Sequence, residues 1–128
     1  MTNEERVRDF MEKAKQPIPE RPILQDESVE TLRLNLIEEE LDELRVSIGA
    51  EDMVAIADAI ADLLYVTYGM AVAYGIPIQK VFEEVHRSNM SKFIDGFEDP
   101  RSGKWCKGPS WSPPDIEPIL KHGPEPVP

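Results

Sequence analysis

Two pairs of carboxylates, each spaced by about one helical turn, are the residues of this sequence best suited to chemistry: Glu40 with Glu43, and Asp58 with Asp62. Acidic residues are abundant, so the question is which of them a helix turns inward. At ~100° per residue, with Leu41 set to zero, Ile37, Leu44 and Ile48 fall close to it, and Val29, Leu32 and Leu36 fill an adjoining sector. Together they make one wide apolar arc. Glu40 and Glu43 lie inside it, Glu39 sits at its border, and Glu38 and Asp42 share the opposite side with Thr31, Asn35 and Arg45. Asp58 and Asp62 are surrounded by Ala, Ile, Leu and Val, with no basic residue close in sequence. An ionised carboxylate buried without a partner costs on the order of several kcal/mol or becomes protonated. Either donors on other helices answer these aspartates, or cations do. Hard oxygen ligands without matching His or Cys favour Mg²⁺ or Mn²⁺ over zinc.

Basic residues gather late in the chain, where Arg87, Lys92, Lys104 and Lys107 flank the segments SNMSK and KGP. Lys92 and Lys107 suit contact with phosphate. Asn89 offers a donor and an acceptor to a base or sugar, and His86 suits a phosphate contact, a general acid or the end of a helix. Arg33 falls near the carboxylate-bearing arc and is expected either to touch substrate or to neutralise Glu40.

Helices must position these groups. Prolines gather at positions 17 to 22 and from position 100 onward, and positions 23 to 76 are free of them. Val7, Phe10, Met11 and Ala14 recur at three- and four-residue steps and predict a helix from Asn3 to about Lys15. QPIPERPIL is a connection, since proline lacks the amide donor and restricts the residue before it. A long helix is expected from Asp26 or Ser28 to Ile48, stopped by Gly49, and a third from Met53 to Tyr74 with Glu51 and Asp52 at its start. Gly75, Ile76 and Pro77 read as a stop and restart before a fourth helix from Ile78 to Lys92. The third helix is apolar on nearly every side, which describes either a membrane span or a helix buried in protein. Asp58 and Asp62 favour the buried helix, because each carboxylate near a bilayer centre costs roughly 2.5–3.5 kcal/mol. A chain of 128 residues has difficulty covering such a helix alone, so a homodimer or homotetramer is expected. From Phe93 onward the segment is rich in Pro and Gly and reads as an extended tail, docked because Phe97, Trp105, Trp111 and Ile116 are costly to leave in water. The expected fold is all-α, one domain over 1–128: a bundle of four to five helices completed by oligomerisation, with a tail over 93–128.

The formal net charge of −11 repels nucleic acid and anionic membrane, so neither is an expected partner, whereas a small anionic substrate is accessible when cations bridge the repulsion. A lone Cys106 and an N-terminus without a basic-then-apolar plan lead to an expected cytoplasmic location.

The stretch LRLNLIEEELDELRVSIGAEDMVAIADAIADLLYVTYGMAVAYGI, followed by VFEEVHRSNMSKF and GKWCKGPSWSPPDI, resembles the MazG-like branch of the all-α nucleoside triphosphate pyrophosphohydrolases. It is similar especially to single-domain bacterial and phage members, and also to phosphoribosyl-ATP pyrophosphohydrolases and dimeric dUTPases. The resemblance runs from about Val7 to Leu120. It implies that Glu39, Glu40 and Glu43 match an EExxE motif, with Glu40 and Glu43 binding metal, and that Asp58 matches the aspartate of a downstream ExxD. The sequence departs from that pattern at Ala55, where a glutamate is expected; Asp62 is a candidate replacement ligand. The activity implied is metal-dependent hydrolysis of a nucleoside triphosphate to monophosphate and pyrophosphate in nucleotide-pool housekeeping, with Glu39 orienting or deprotonating the water. The alternatives are a phosphoribosyl-ATP pyrophosphohydrolase and a catalytically silent helical module.

Overall fold

The computed structural model describes residues 1–122, and its architecture is all-α with one small hairpin. Helix α1 (Asn3–Lys13) starts in a capping box: the Thr2 hydroxyl accepts from the Glu5 amide, and the Glu5 carboxylate accepts from the Thr2 amide. Helix α2 (Glu27–Gly49) is capped by Asp26, and α3 (Met53–Ala73) by Asp52, each carboxylate accepting an amide of the first turn. All three helices stop in the same way. Lys15, Glu51 and Gly75 adopt left-handed φ values of 58°, 53° and 69°, and the next amide reaches back to the carbonyl five residues earlier. The reversal after α2 therefore falls on Glu51. Gly49, expected to stop the helix, is its last residue.

Helix α4 (Ile78–Met90) begins at Pro77 without a side-chain cap of its own. The buried Glu4 carboxylate of α1 takes that place, accepting from the Gln79 amide at 2.8 Å while Arg8 holds its other oxygen at 3.1 Å. The chain then bends at Ser91 into the short α5 (Lys92–Asp95), so α4 ends two residues before its expected limit. The connection between α1 and α2 is tied to the end of α3 by Ile23 donating to the Tyr74 carbonyl and Gln25 to the Ala73 carbonyl.

The core is formed by Val7 and Met11 of α1 against Val72 and Ala73 of α3, with Ile18, Val29, Tyr68 and Tyr74 packed around it. Both α1 and α2 pack on α3, and α4 touches α3 more lightly. One chain is expected to have difficulty covering α3 on all sides, and it leaves part of that helix exposed. Ala59, Gly69, Ala71, Val72 and Ala73 are buried, whereas Met53, Val54, Ile60 and Leu64 are exposed, as are Leu32, Leu34, Val46 and Ile48 of α2. Two helices cover one side of a third, and α4 reaches only part of what remains. By length and composition α3 is apolar enough to cross a membrane, with Asp58 and Asp62 inside its span.

The segment after α5 departs from the expected irregular tail. It forms an antiparallel hairpin of β1 (Phe97–Glu98) and β2 (Trp105–Cys106), then α6 (Glu117–His122). Strands two residues long leave no periodicity to read. Phe93 and Trp105 pack with ring centroids 4.6 Å apart and planes tilted by 53°, and Lys107 lies over the Trp111 ring at 4.0 Å. The last six residues of the expected tail, 123–128, lie outside the described residues.

Candidate active site

The α2–α3 seam decides which acidic residues meet. On α2 the line Val29, Arg33, Leu36, Ile37, Glu40, Leu44 and Ser47 is buried or half-buried; on α3 the facing line is Ala55, Ala59, Asp62, Val66 and Gly69. Both follow three- and four-residue steps. Glu40 and Asp62 are half-buried on these lines. Glu39, Glu43 and Asp58 are exposed on the rim. That corrects the expected placement of Glu43 and Asp58 in apolar surroundings: α3 lands along the Arg33–Glu40–Ser47 line, which leaves Leu32 and Glu43 outside the seam.

Partial desolvation, followed by the charges of Asp62, Glu43, Glu39 and Asp58, holds the Glu40 carboxyl above its ordinary value. The fold thus brings five acidic groups from two helices into one electrostatic neighbourhood. Among the described residues no basic side chain forms a hydrogen bond or ion pair with any of the five; Arg45, the closest in sequence, pairs with Asp42 at 2.9 Å. The donor set is hard oxygen, and its mutual repulsion suits a divalent cation. Among the described residues no three such side chains converge as a ready ion cage, so holding a cation would require side-chain rotation within the cluster.

Arg33 does not neutralise Glu40. It turns toward α1 and is buried, with Nη2 donating to Gln16 Oε1 at 3.2 Å and Nε without an acceptor. Gly69 makes room for it: a Cβ there would lie 2.9 Å from Arg33 Nη1.

The other expected site residues lie elsewhere. His86 and Asn89 are exposed on α4, Lys92 is half-buried at the start of α5, and Lys107 is exposed over Trp111. Among the described residues none forms a hydrogen bond or ion pair with the seam carboxylates. The structure does join the SNMSK and KGPSW segments. Ser91 Oγ accepts from the Ser112 amide at 2.9 Å, and the Asp95 carboxylate accepts from the amide and hydroxyl of Ser110. Glu84 accepts two bonds from Arg87 and one from the Asp115 amide at 2.6 Å, while Arg87 also donates to the Pro113 carbonyl at 3.0 Å. Those bonds hold the Glu84 carboxyl down at about 2. The sequence reading missed this clamp; its one local signal was the three-residue spacing of Glu84 and Arg87.

Residues 7–89, spanning most of α1 through most of α4, match the family described as Phosphoribosyl-ATP pyrophosphohydrolase. Over 89 residues, 58% of the chain, the sequence is 33% identical to "Uncharacterized protein L479" of Acanthamoeba polyphaga mimivirus, and the chain spans 36% of that relative's length. With a family match over more than half of its 128 residues and an all-α fold that brings Glu39, Glu40, Glu43, Asp58 and Asp62 into one electrostatic neighbourhood, the chain belongs to the Phosphoribosyl-ATP pyrophosphohydrolase family of MazG-like all-α proteins.

Proposed function

We propose that this chain hydrolyses a nucleoside triphosphate to the monophosphate and pyrophosphate in a reaction that depends on Mg²⁺ or Mn²⁺. The observation that carries the reading is the crowding of Glu40 by Asp62, Glu43, Glu39 and Asp58 at the seam of a chain in this family. Glu40, Glu43, Asp58 and Asp62 would hold the cation. When bound, it supplies countercharge to the triphosphate and raises the acidity of water. Water adds to the α-phosphorus, the bond to the bridging oxygen breaks, and pyrophosphate leaves. Glu39, exposed at the rim, takes the proton from that water. Lys92 and Lys107 answer phosphate charge, and Asn89 and His86 contact the nucleotide. These four come to the seam from a second copy of the chain, whose packing also covers the exposed apolar residues of α2 and α3. The protein acts in the cytoplasm on a small nucleotide, without nucleic acid or membrane.

Two other readings each have an observation behind them. The name of the matched family favours phosphoribosyl-ATP as substrate, and Ala55 in place of a carboxylate favours a binding module without turnover. Product analysis over canonical and modified nucleoside triphosphates and phosphoribosyl-ATP, with Mg²⁺ or Mn²⁺, tests all three. Monophosphate and pyrophosphate from a nucleoside triphosphate support the proposal. Turnover of phosphoribosyl-ATP alone moves the substrate, and no turnover at all leaves the binding module.

A further inference from the structure

Lys107 is exposed, and its ammonium lies 4.0 Å from the centroid of the Trp111 ring. Acidic residues outnumber Lys and Arg by 25 to 14 in this chain, yet among the described residues Lys107 has no carboxylate partner. The difference between the two kinds of partner is chemical. A carboxylate would orient the side chain and also occupy its donors. An aromatic face attracts the cation and leaves the N–H groups on the far side free to bond an anion.

The ring is a fixed platform. The Trp111 amide donates to the Gly108 carbonyl at 3.1 Å and closes the turn. Its neighbours on both sides are tied to α5 and to the residue before it: Ser110 donates its amide and hydroxyl to the Asp95 carboxylate, and the Ser112 amide donates to Ser91 Oγ at 2.9 Å. Two glycines let the turn sit close against α5. A Cβ on Gly108 would collide with the Asp95 carbonyl, and one on Gly96 with the carbonyls of Lys92 and Cys106. Gly96 thus brings the backbone of Lys92 close to that of Cys106, the residue before Lys107. The indole N–H of Trp111 is buried without an acceptor, so the ring offers Lys107 its face and supplies no hydrogen bond of its own.

We infer that Trp111 is a positioning residue for phosphate: its ring holds the Lys107 ammonium in place and unpaired, at the junction that also carries Lys92, for the phosphate chain of the nucleotide. The inference rests on the proposed pyrophosphohydrolase reading, which gives the two lysines to phosphate and leaves open what orders them. A free lysine side chain loses rotamer freedom when it binds an anion. A ring that has already ordered it removes part of that loss.

The test is calorimetric titration of the full chain with inorganic tripolyphosphate in Mg²⁺, across a double-substitution cycle. Lys107→Met keeps the stem and removes the charge, and should weaken binding about tenfold or more. Trp111→Leu should weaken it about two- to fivefold, as expected of an exposed cation–π contact, and Trp111→Phe, which keeps an aromatic face, should weaken it less. With Lys107→Met already in place, Trp111→Leu should have no further effect. A tryptophan that only supports the turn gives an equal loss in both backgrounds. NMR adds a readout without ligand: the ring should shift the Lys107 ε-methylene protons upfield, and Trp111→Leu should return them to the position of an ordinary exposed lysine. Unchanged affinity in Trp111→Leu, an equal loss in both backgrounds, no tripolyphosphate binding, or an unshifted Lys107 signal in the unmodified chain would overturn the inference. These titrations involve no turnover, so the two readings fail separately. Coupled phosphate binding without hydrolysis sinks the hydrolase and leaves Trp111 its role, and hydrolysis without coupling does the reverse.

Discussion

After its own partial desolvation, the charge of Asp62 on α3 is the strongest influence raising the carboxyl of Glu40 on α2. The two lie on facing lines of the same seam, and no basic side chain among the described residues separates their charges. Glu40→Gln removes the charge and keeps the volume. In chelator at neutral pH it should stabilise the fold slightly, by about 0.5 kcal/mol, as expected when one like-charge neighbour is removed. With Mg²⁺ or Mn²⁺ present, Glu40→Gln and Glu43→Gln should each lower turnover by more than about a hundredfold, beyond the usual effect of outer-shell partners. Denaturant melts and steady-state kinetics measure both, and unchanged turnover in both variants removes the metal assignment.

Ala55 lies half-buried on the α3 line that carries Ala59 and Asp62, one turn before Asp58. Ala55→Glu adds a carboxylate there. Metal affinity should rise, and the variant should lose stability in chelator and regain it with Mg²⁺, because binding to the native state alone shifts the folding equilibrium. If calorimetry and thermal melts show neither change, position 55 does not serve the cluster.

Met53, Val54, Ile60 and Leu64 of α3 and Leu32, Leu34, Val46 and Ile48 of α2 are all exposed in one chain. Apolar surface of this extent calls for a partner. Light scattering should give a dimer or tetramer, and Ile60→Glu with Leu64→Glu should dissociate it and abolish turnover with it. A monomeric parent protein at high concentration contradicts the shared site.

Glu84 fastens the segment around Pro113 and Asp115 to α4 through Arg87 and the Asp115 amide. Its carboxyl is lowered from 4.5 to about 2, so its contribution is fully present above the unfolded value of 4.5 and is lost as pH falls through 2. Fluorescence of Trp105 and Trp111 should therefore report a docked segment at pH 5 that releases toward pH 2. Glu84→Gln should weaken docking at pH 7 and flatten that acid transition; an unaltered acid profile in the variant would remove Glu84 from this role.

The sequence by itself determined the helical segments and the spacing of carboxylates within each helix, because both follow from local rules. Asp26 and Asp52 announce helix starts, Gly75 with Pro77 marks a stop and restart, and the one-turn spacings of Glu40 with Glu43 and of Asp58 with Asp62 survive any arrangement of the helices. What only the tertiary structure decided is where the seam falls. The apolar arc of α2 is wide, and α3 can settle at more than one angle within it. The angle it takes half-buries Glu40 and Asp62, leaves Glu43 and Asp58 on the rim, and turns Arg33 away from the carboxylates toward Gln16, beside Gly69. The hairpin and the Glu84–Arg87 clamp were illegible for a related reason. Their bonds join residues as much as 31 apart in sequence, and periodicity within a short window carries no trace of such pairings.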